Sequence, residues 1–178
     1  MPDYLAFLRA INLGATRRFP AAAIAAATTA AGFDDVETHL HTGNVRLRSR
    51  MRSRERIEAA LERAYLADRG FEVPVIVFRA DEFAGIAGDA RELAEAHPDL
   101  DRHYVYLLKR ELDPAELAEV EARADERGET VVRGRAAHVL LRRGYTPGQV
   151  DPLGVARLFG VGTNRNAAVV GALADRWC

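Results

Sequence analysis

Tyr4-Leu5-Ala6-Phe7-Leu8-Arg9-Ala10-Ile11-Asn12-Leu13-Gly14 opens the chain with five apolar residues that run straight into arginine, asparagine and glycine. An unbroken apolar run of this kind, closed by turn-forming residues, reads as a strand covered on both faces. Residues 4–8 are therefore expected at the centre of a sheet. Beyond them Pro20 suits the first turn of a helix, and alanine-rich residues 21–31 extend it until Gly32 stops it. Residues 36–40 and 45–47 flank Thr42-Gly43 and predict a hairpin. Residues 54–69 set Ile57, Leu61, Tyr65 and Leu66 along one side of a helix ended by Gly70. Residues 73–78 give another strand. Strand, helix, strand, strand, helix, strand is the ferredoxin-like order.

The second half repeats the theme. Residues 81–87 and 89–97 predict two short helices, 104–108 a strand, and 114–124 a helix opened by Asp113 ahead of Pro114. Strands over 130–133 and 136–141 join across Gly134, and helices over 152–159 and 166–177 close the chain. The expected fold class is α+β: two ferredoxin-like (βαββαβ-type) lobes with antiparallel sheets and helices packed on one face of each. Residues 1–80 form the first lobe, and residues 81–178 form the second, which its C-terminal helices close. No Gly/Ser-rich or Pro-rich linker lies between them, so the lobes are expected to pack together.

Composition bounds the function. Of 178 residues, 48% are hydrophobic and 29% charged, which is globular usage. The net charge of -1 excludes an overall positive field for holding nucleic acid. Lys109 is the single lysine, and this bias toward arginine, beside abundant alanine, reads as the codon usage of a GC-rich genome. Cys178 is the single cysteine, which rules out an intrachain disulfide and a cysteine-based metal site. No basic and apolar leader opens the chain, and no run approaches the ~20 apolar residues of a membrane span. A cytoplasmic protein away from the membrane is expected.

Alternation along the hairpin gives it two faces. Val36, Thr38 and Leu40 share one with Val45 and Leu47; Asp35, Glu37, His39 and His41 share the other with Asn44, Arg46, Arg48 and Arg50. A two-residue loop at Thr42-Gly43 sets Glu37 against Arg48, Asp35 against Arg50, and His39 against Arg46. The arginine stripe then reads as an ion-paired sheet face, or alternatively as a phosphate-binding one. His39, His41 and Glu37 share a face and suit zinc by ligand type, but His97, His103 and His138 are scattered, so no metal site is expected.

The strand order also brings separate motifs together. A crossover helix makes the first two strands parallel, and the hairpin turns the third back. One sheet edge therefore gathers Arg9, Asn12, Gly14, Arg17, Arg18, the amides near Pro20, and Thr42, Gly43 and Asn44. Arginines beside a helix N-terminus suit a small anion. The structural alternative is that Asn12 and Gly14 shape a turn and Thr42-Gly43 tightens the hairpin. Asn164 and Arg165 are further candidates, although Thr163, Asn164 or Asn166 can equally cap the last helix.

These pieces resemble the bacterial family known as domain of unknown function 1697. The resemblance rests on Phe7 to Gly14 with Pro20, on Gly32-Phe33, and on Thr42-Gly43-Asn44-Val45. Phe71-Glu72-Val73-Pro74-Val75 and Asn164-Arg165-Asn166 complete it. It implies a fold of two ferredoxin-like lobes and no activity. Ala10 and Ala15 stand where the family usually has glycine, and Ala167 where it tends to tryptophan. A Ser-Lys pair usual ahead of the penultimate helix is absent around Thr146-Pro147-Gly148-Gln149.

Three classes of function follow. The first is binding of a small anionic ligand, such as a nucleotide or phosphorylated metabolite, at the gathered edge. The second is nucleic-acid binding, which the ferredoxin-like order also serves, but the third strand lacks the aromatics that stack bases. The third is an enzyme: Asp3, Glu37, His41 and His103 can act as acid or base, yet no nucleophile, phosphate-loop or metal motif singles one out. The sequence implies no cofactor and leaves the oligomeric state open.

Overall fold

A computed structural model describes residues 1–144, 149 and 151–178; Thr146, Pro147 and Gly148 lie outside the described residues. The element order is β1 (Asp3–Leu8), α1 (Ala21–Ala30), β2 (Asp34–His39), β3 (Asn44–Arg48), α2 (Arg54–Arg69), β4 (Val75–Arg79), α3 (Ala80–Ala96) and β5 (Arg102–Leu108). Next come α4 (Pro114–Glu121), β6 (Gly128–Arg133), β7 (Ala136–Leu141), a 3-10 turn (Ala156–Phe159), β8 (Gly162–Asn166) and α5 (Ala167–Trp177). The strands form two four-stranded antiparallel sheets of order β2-β3-β1-β4 and β6-β7-β5-β8. The fold is α+β with two lobes, and each sheet has the strand order of a ferredoxin-like unit. Contacts divide the chain into residues 1–83 with 177–178 and residues 84–176. No helix of the described residues is long and apolar enough to cross a membrane.

In the first sheet Tyr4, Ala6, Leu8, Val45, Leu47, Val75 and Val77 join a core with Ile24, Ile57, Leu61 and Tyr65 of α1 and α2. Each fully buried side chain of this size contributes about 1.5–3 kcal/mol. Thr28 and Tyr65 share a buried hydrogen bond of 2.7 Å, and burial pushes the phenol well above its usual range. Leu5, Phe7, Ile76 and Phe78, on the opposite face, are buried too, with Phe83 tilted against Phe7 at 5.1 Å. β4 is an edge strand, and α2 closes it: Glu62 accepts from the Val75 amide and Glu58 from the Val77 amide, each at 2.9 Å. Donors spaced two residues apart on a strand meet acceptors spaced four apart on a helix, which blunts the edge.

In the second sheet Tyr106, Leu108, Ala137, Val139 and Leu141 pack with Leu112, Val120, Leu153, Val155 and Phe159. The opposite face holds a histidine pair. His103 Nε2 and His138 Nδ1 lie 3.1 Å apart, and both rings are buried. Burial, aided by the neighbouring charge of His97 on His103 and of His103 on His138, lowers both from 6.5 to about 4.

Several boundaries differ from expectation. The short helices expected over 81–87 and 89–97 form one helix, α3. The helix expected over 152–159 shrinks to the 3-10 turn. Asn164-Arg165-Asn166 lies on an unexpected strand, β8, because Gly162 to Asn166 pairs with β5. The hairpin register also moves: Glu37 faces Arg46 and His39 faces Asn44. A shift of two residues preserves the faces, so alternation could not detect it.

Candidate functional site

The site is the end of the first lobe where β1 stops, α1 starts and the hairpin turns. Three residues after β1 adopt left-handed backbone: Ala10 (φ 58°), Asn12 (φ 56°) and Gly14 (φ 65°). They coil residues 9–20 into a compact loop rather than a direct link to the helix. Asn12 is its staple. Its Oδ1 accepts from the Phe19 amide at 2.9 Å, and its Nδ2 donates to the carbonyls of Phe19 at 3.3 Å and His41 at 2.6 Å. Arg17 clamps the other side, donating from Nε to the Ala10 carbonyl at 2.7 Å and from Nη2 to the Glu72 carbonyl at 2.6 Å. Its guanidinium stacks 4.6 Å from the Phe71 ring centroid.

The hairpin loop has its own internal scaffold. Residues 40–43 form the turn, with Leu40 at φ 61° and Gly43 at φ 75°. The Asn44 amide group donates to the His39 carbonyl at 2.9 Å and to Thr42 Oγ1 at 3.1 Å, and Asn44 is fully buried. The Gly43 carbonyl accepts from the Leu8 amide at 2.9 Å. A Cβ on Gly43 would stand 2.7 Å from Leu8 Cβ and 2.9 Å from Ile11 Cδ1, so this glycine is required twice over, by φ and by space. Strand alternation ends at His39, which removes the reason for placing His39 and His41 on one face. Among the described residues no group of three or more His, Cys, Asp or Glu is placed to hold a metal ion.

The candidate residues thus sort by what already occupies them. Asn12, Arg17, Gly43, Asn44 and Thr42 build the loops. Arg9 and Arg18 are exposed, and their guanidinium groups have no hydrogen bond or ion pair among the described residues. Arg18 lines a cavity of about 360 Å³ with Asn12, Gly14, Pro20 and His41. Arg9 lines a second of about 360 Å³ with Ala10, Leu13, Arg17, Glu72 and Pro74. His41 enters the site only because the turn has four residues; a two-residue loop would have left it in the strand. Pro20 supplies no side-chain cap to α1, and the first turn of α1 has no acidic residue.

Asn164 and Arg165 belong to the second unit. Arg165 is buried, donates to Thr163 Oγ1 at 2.9 Å and to the Asn164 carbonyl at 2.7 Å, and is lowered to about 10 by burial. Asn166 accepts from the Ala168 amide at 2.9 Å, the cap expected for the last helix.

The family model described as "Protein of unknown function (DUF1697)" matches residues 1–138. The chain belongs to this family. Its fold is similar to that of the conserved bacterial protein SP0830 from Streptococcus pneumoniae, with a TM-score of 0.76 and 19% identity over 99% of this chain and 98% of that one. No curated protein matches the sequence. Ala10 holds left-handed backbone that a glycine would adopt without steric cost. Ala15 lies outside the left-handed set, so the structure asks for no glycine there.

Proposed function

We propose that this DUF1697 protein binds a small phosphate-bearing metabolite at the start of α1, with Arg18 as the principal ligand group. Arg9 and His41 flank it, and Asn12, Arg17, Gly43 and Asn44 hold the loops in shape. The ligand class is a cytoplasmic nucleotide or sugar phosphate.

One observation carries this reading, and it comes from the second lobe. There the Leu108 amide bonds the hairpin carbonyl of Arg135 and the Lys109 amide bonds the Val161 carbonyl, each at 2.9 Å. In the first lobe the Leu8 amide bonds Gly43 and the Arg9 amide bonds Pro74 in the same way, also at 2.9 Å. The two helix starts that follow are therefore equivalent positions. At α4 the positive end is neutralised: Asp113 and Glu116 form a capping box, and Glu116 also pairs with Arg110 at 2.7 Å. These bonds hold the Glu116 carboxyl down at about 2. At α1 the same end has no cap, no acid in its first turn, and an arginine without a counter-ion. A helix N-terminus with free amides and an adjacent cation attracts an anion.

Thermal unfolding of the full chain against orthophosphate, pyrophosphate, nucleotides and sugar phosphates tests the proposal. At ~100 times Kd a ligand adds about 2.7 kcal/mol, or roughly 5–10 °C for a chain of this size. Arg18→Ala and Ala23→Glu, the latter restoring an acid to the first turn, are each expected to abolish that shift. A panel in which no compound stabilises the wild type more than it does Arg18→Ala overturns the proposal.

A further inference from the structure

A second surface of the first lobe, distinct from the proposed small-ligand end, remains without an assignment. Between β3 and the first turn of α2, arginine occupies every second position: Arg46, Arg48, Arg50, Arg52, Arg54 and Arg56. The structure divides them. Arg46 pairs with Asp3 at 2.8 Å, and Arg48 with Asp35 at 2.7 Å and Asp3 at 3.4 Å. Arg54 pairs with Glu55 at 3.1 Å. Arg50, Arg52 and Arg56 are exposed, with no side-chain hydrogen bond or ion pair among the described residues. The ion-paired face expected from alternation is thus real along β3 and ends where the strand ends.

The backbone that presents these three is fixed. Met51 packs against the core, its amide donates to Ser49 Oγ at 3.0 Å, and its carbonyl accepts from Tyr4 Oη at 3.1 Å. With Met51 held inward, the residues on either side, Arg50 and Arg52, stay in solvent. Ser53 caps α2 by accepting from the Arg56 amide at 3.3 Å, and Ile57 is buried, which leaves Arg56 exposed on the first turn.

We infer that the Arg50–Arg52–Arg56 strip binds the phosphodiester backbone of nucleic acid, without reading its sequence. Three exposed guanidinium forks within seven residues, none of them ion-paired among the described residues, suit a polyanion, and each fork can hold a phosphate through two hydrogen bonds. Base readout has no platform here. Strands β1 and β4 bury apolar side chains on both faces, and among the described residues the exposed large apolar side chains, Met1, Leu13, Leu40, Leu66 and Val161, include no aromatic. The whole-chain charge of -1 does not oppose this mode, since charges act locally within a Debye length of about 8–10 Å.

Fluorescence anisotropy of the full chain with labelled single-stranded RNA and DNA of about 20 nucleotides tests it. Three phosphate contacts predict a log–log salt slope near -2, a loss of about 20-fold in affinity between ~50 and ~200 mM NaCl. Replacing all three by glutamine (R50Q/R52Q/R56Q) is expected to weaken binding at least about tenfold and flatten that slope. Replacing all three by lysine retains charge and is expected to retain the slope. R9Q/R18Q is expected to leave nucleic-acid binding unchanged, which separates this surface from the small-ligand end. No binding at the lower salt, a slope untouched by the glutamine variant, or equal affinity for phosphatidylglycerol vesicles or polyglutamate overturns the inference.

Discussion

The two lobes share a strand order but finish the same end differently. In the second, residues 109–113 link β5 to α4, and residues 134–135 close the hairpin. Gly134 has φ 56° at the first position of this two-residue loop, as mirror-image turns require. Arg110 pairs with Glu116 there, and Asp113 and Glu116 cap α4. In the first, the link grows to residues 9–20 and the hairpin loop to residues 40–43, and α1 starts uncapped. The added residues do not go to waste in slack chain; side chains such as Asn12 and Arg17 spend their hydrogen bonds holding them. One ferredoxin-like end is closed for stability, while the other is elaborated around an uncompensated positive point. A difference of this kind inside one chain separates what the fold needs from what it can do without.

The comparison can be broken most sharply at the hairpins. Gly43→Ala meets Leu8 and Ile11 in left-handed backbone and is expected to cost about 2–4 kcal/mol in urea unfolding. Gly134→Ala has the same φ sign, but its Cβ finds only Glu111 Oε1, at 4.0 Å, so about 1 kcal/mol is expected. Equal losses would show that the first hairpin is no more tightly built into its lobe than the second.

Acid should then act on the second lobe. Burial keeps His103 and His138 neutral down to about 4, whereas an unfolded histidine titrates near 6.5. The unfolded chain therefore takes up protons first, and stability falls as pH drops from about 6.5 toward 4, then levels off. One such histidine removes about 2 kcal/mol by pH 5. Urea unfolding at pH 7 and 5, with the His103 and His138 Cε1–H resonances followed by NMR, measures this. Rings that titrate near 6.5 in the folded protein would refute it.

Smaller effects refine the contrast at the helix starts. Ala23→Glu places an acid at the positive end of α1 and should stabilise the chain by about 0.3–1 kcal/mol while removing the phosphate response. Ala10→Gly removes the Cβ from left-handed backbone at φ 58° and should stabilise by up to about 1 kcal/mol. A destabilised Ala10→Gly would mean that the coil of residues 9–20 does not hold Ala10 in left-handed backbone.

Much of the architecture was legible in local pattern. The apolar run before Arg9 gave a central strand. The stripe through Ile57, Leu61 and Tyr65 gave α2, with Gly70 ending it, and Asp113 before Pro114 gave the capped α4. Strand order then brought Arg9, Asn12, Arg17, Arg18 and Thr42-Gly43-Asn44 to one edge. These signals are short-range: each depends on a period of two or 3.6 residues, or on a cap within a single turn.

The tertiary structure decided the rest. A hairpin shifted by two residues keeps every face, so only the bonds from Leu8 to Gly43 and from Asn12 to His41 select the longer loop and bring His41 into the cavity. Which arginines keep a free guanidinium depends on acids distant in sequence, such as Asp3, which pairs with Arg46 and Arg48. The sequence by itself determined the elements of the first lobe and their order, because period and capping are local; in the second lobe β8 is a strand only through its pairing with β5. Register, pairing and the division between scaffold and open site came from contacts between residues tens of positions apart, which no local pattern encodes.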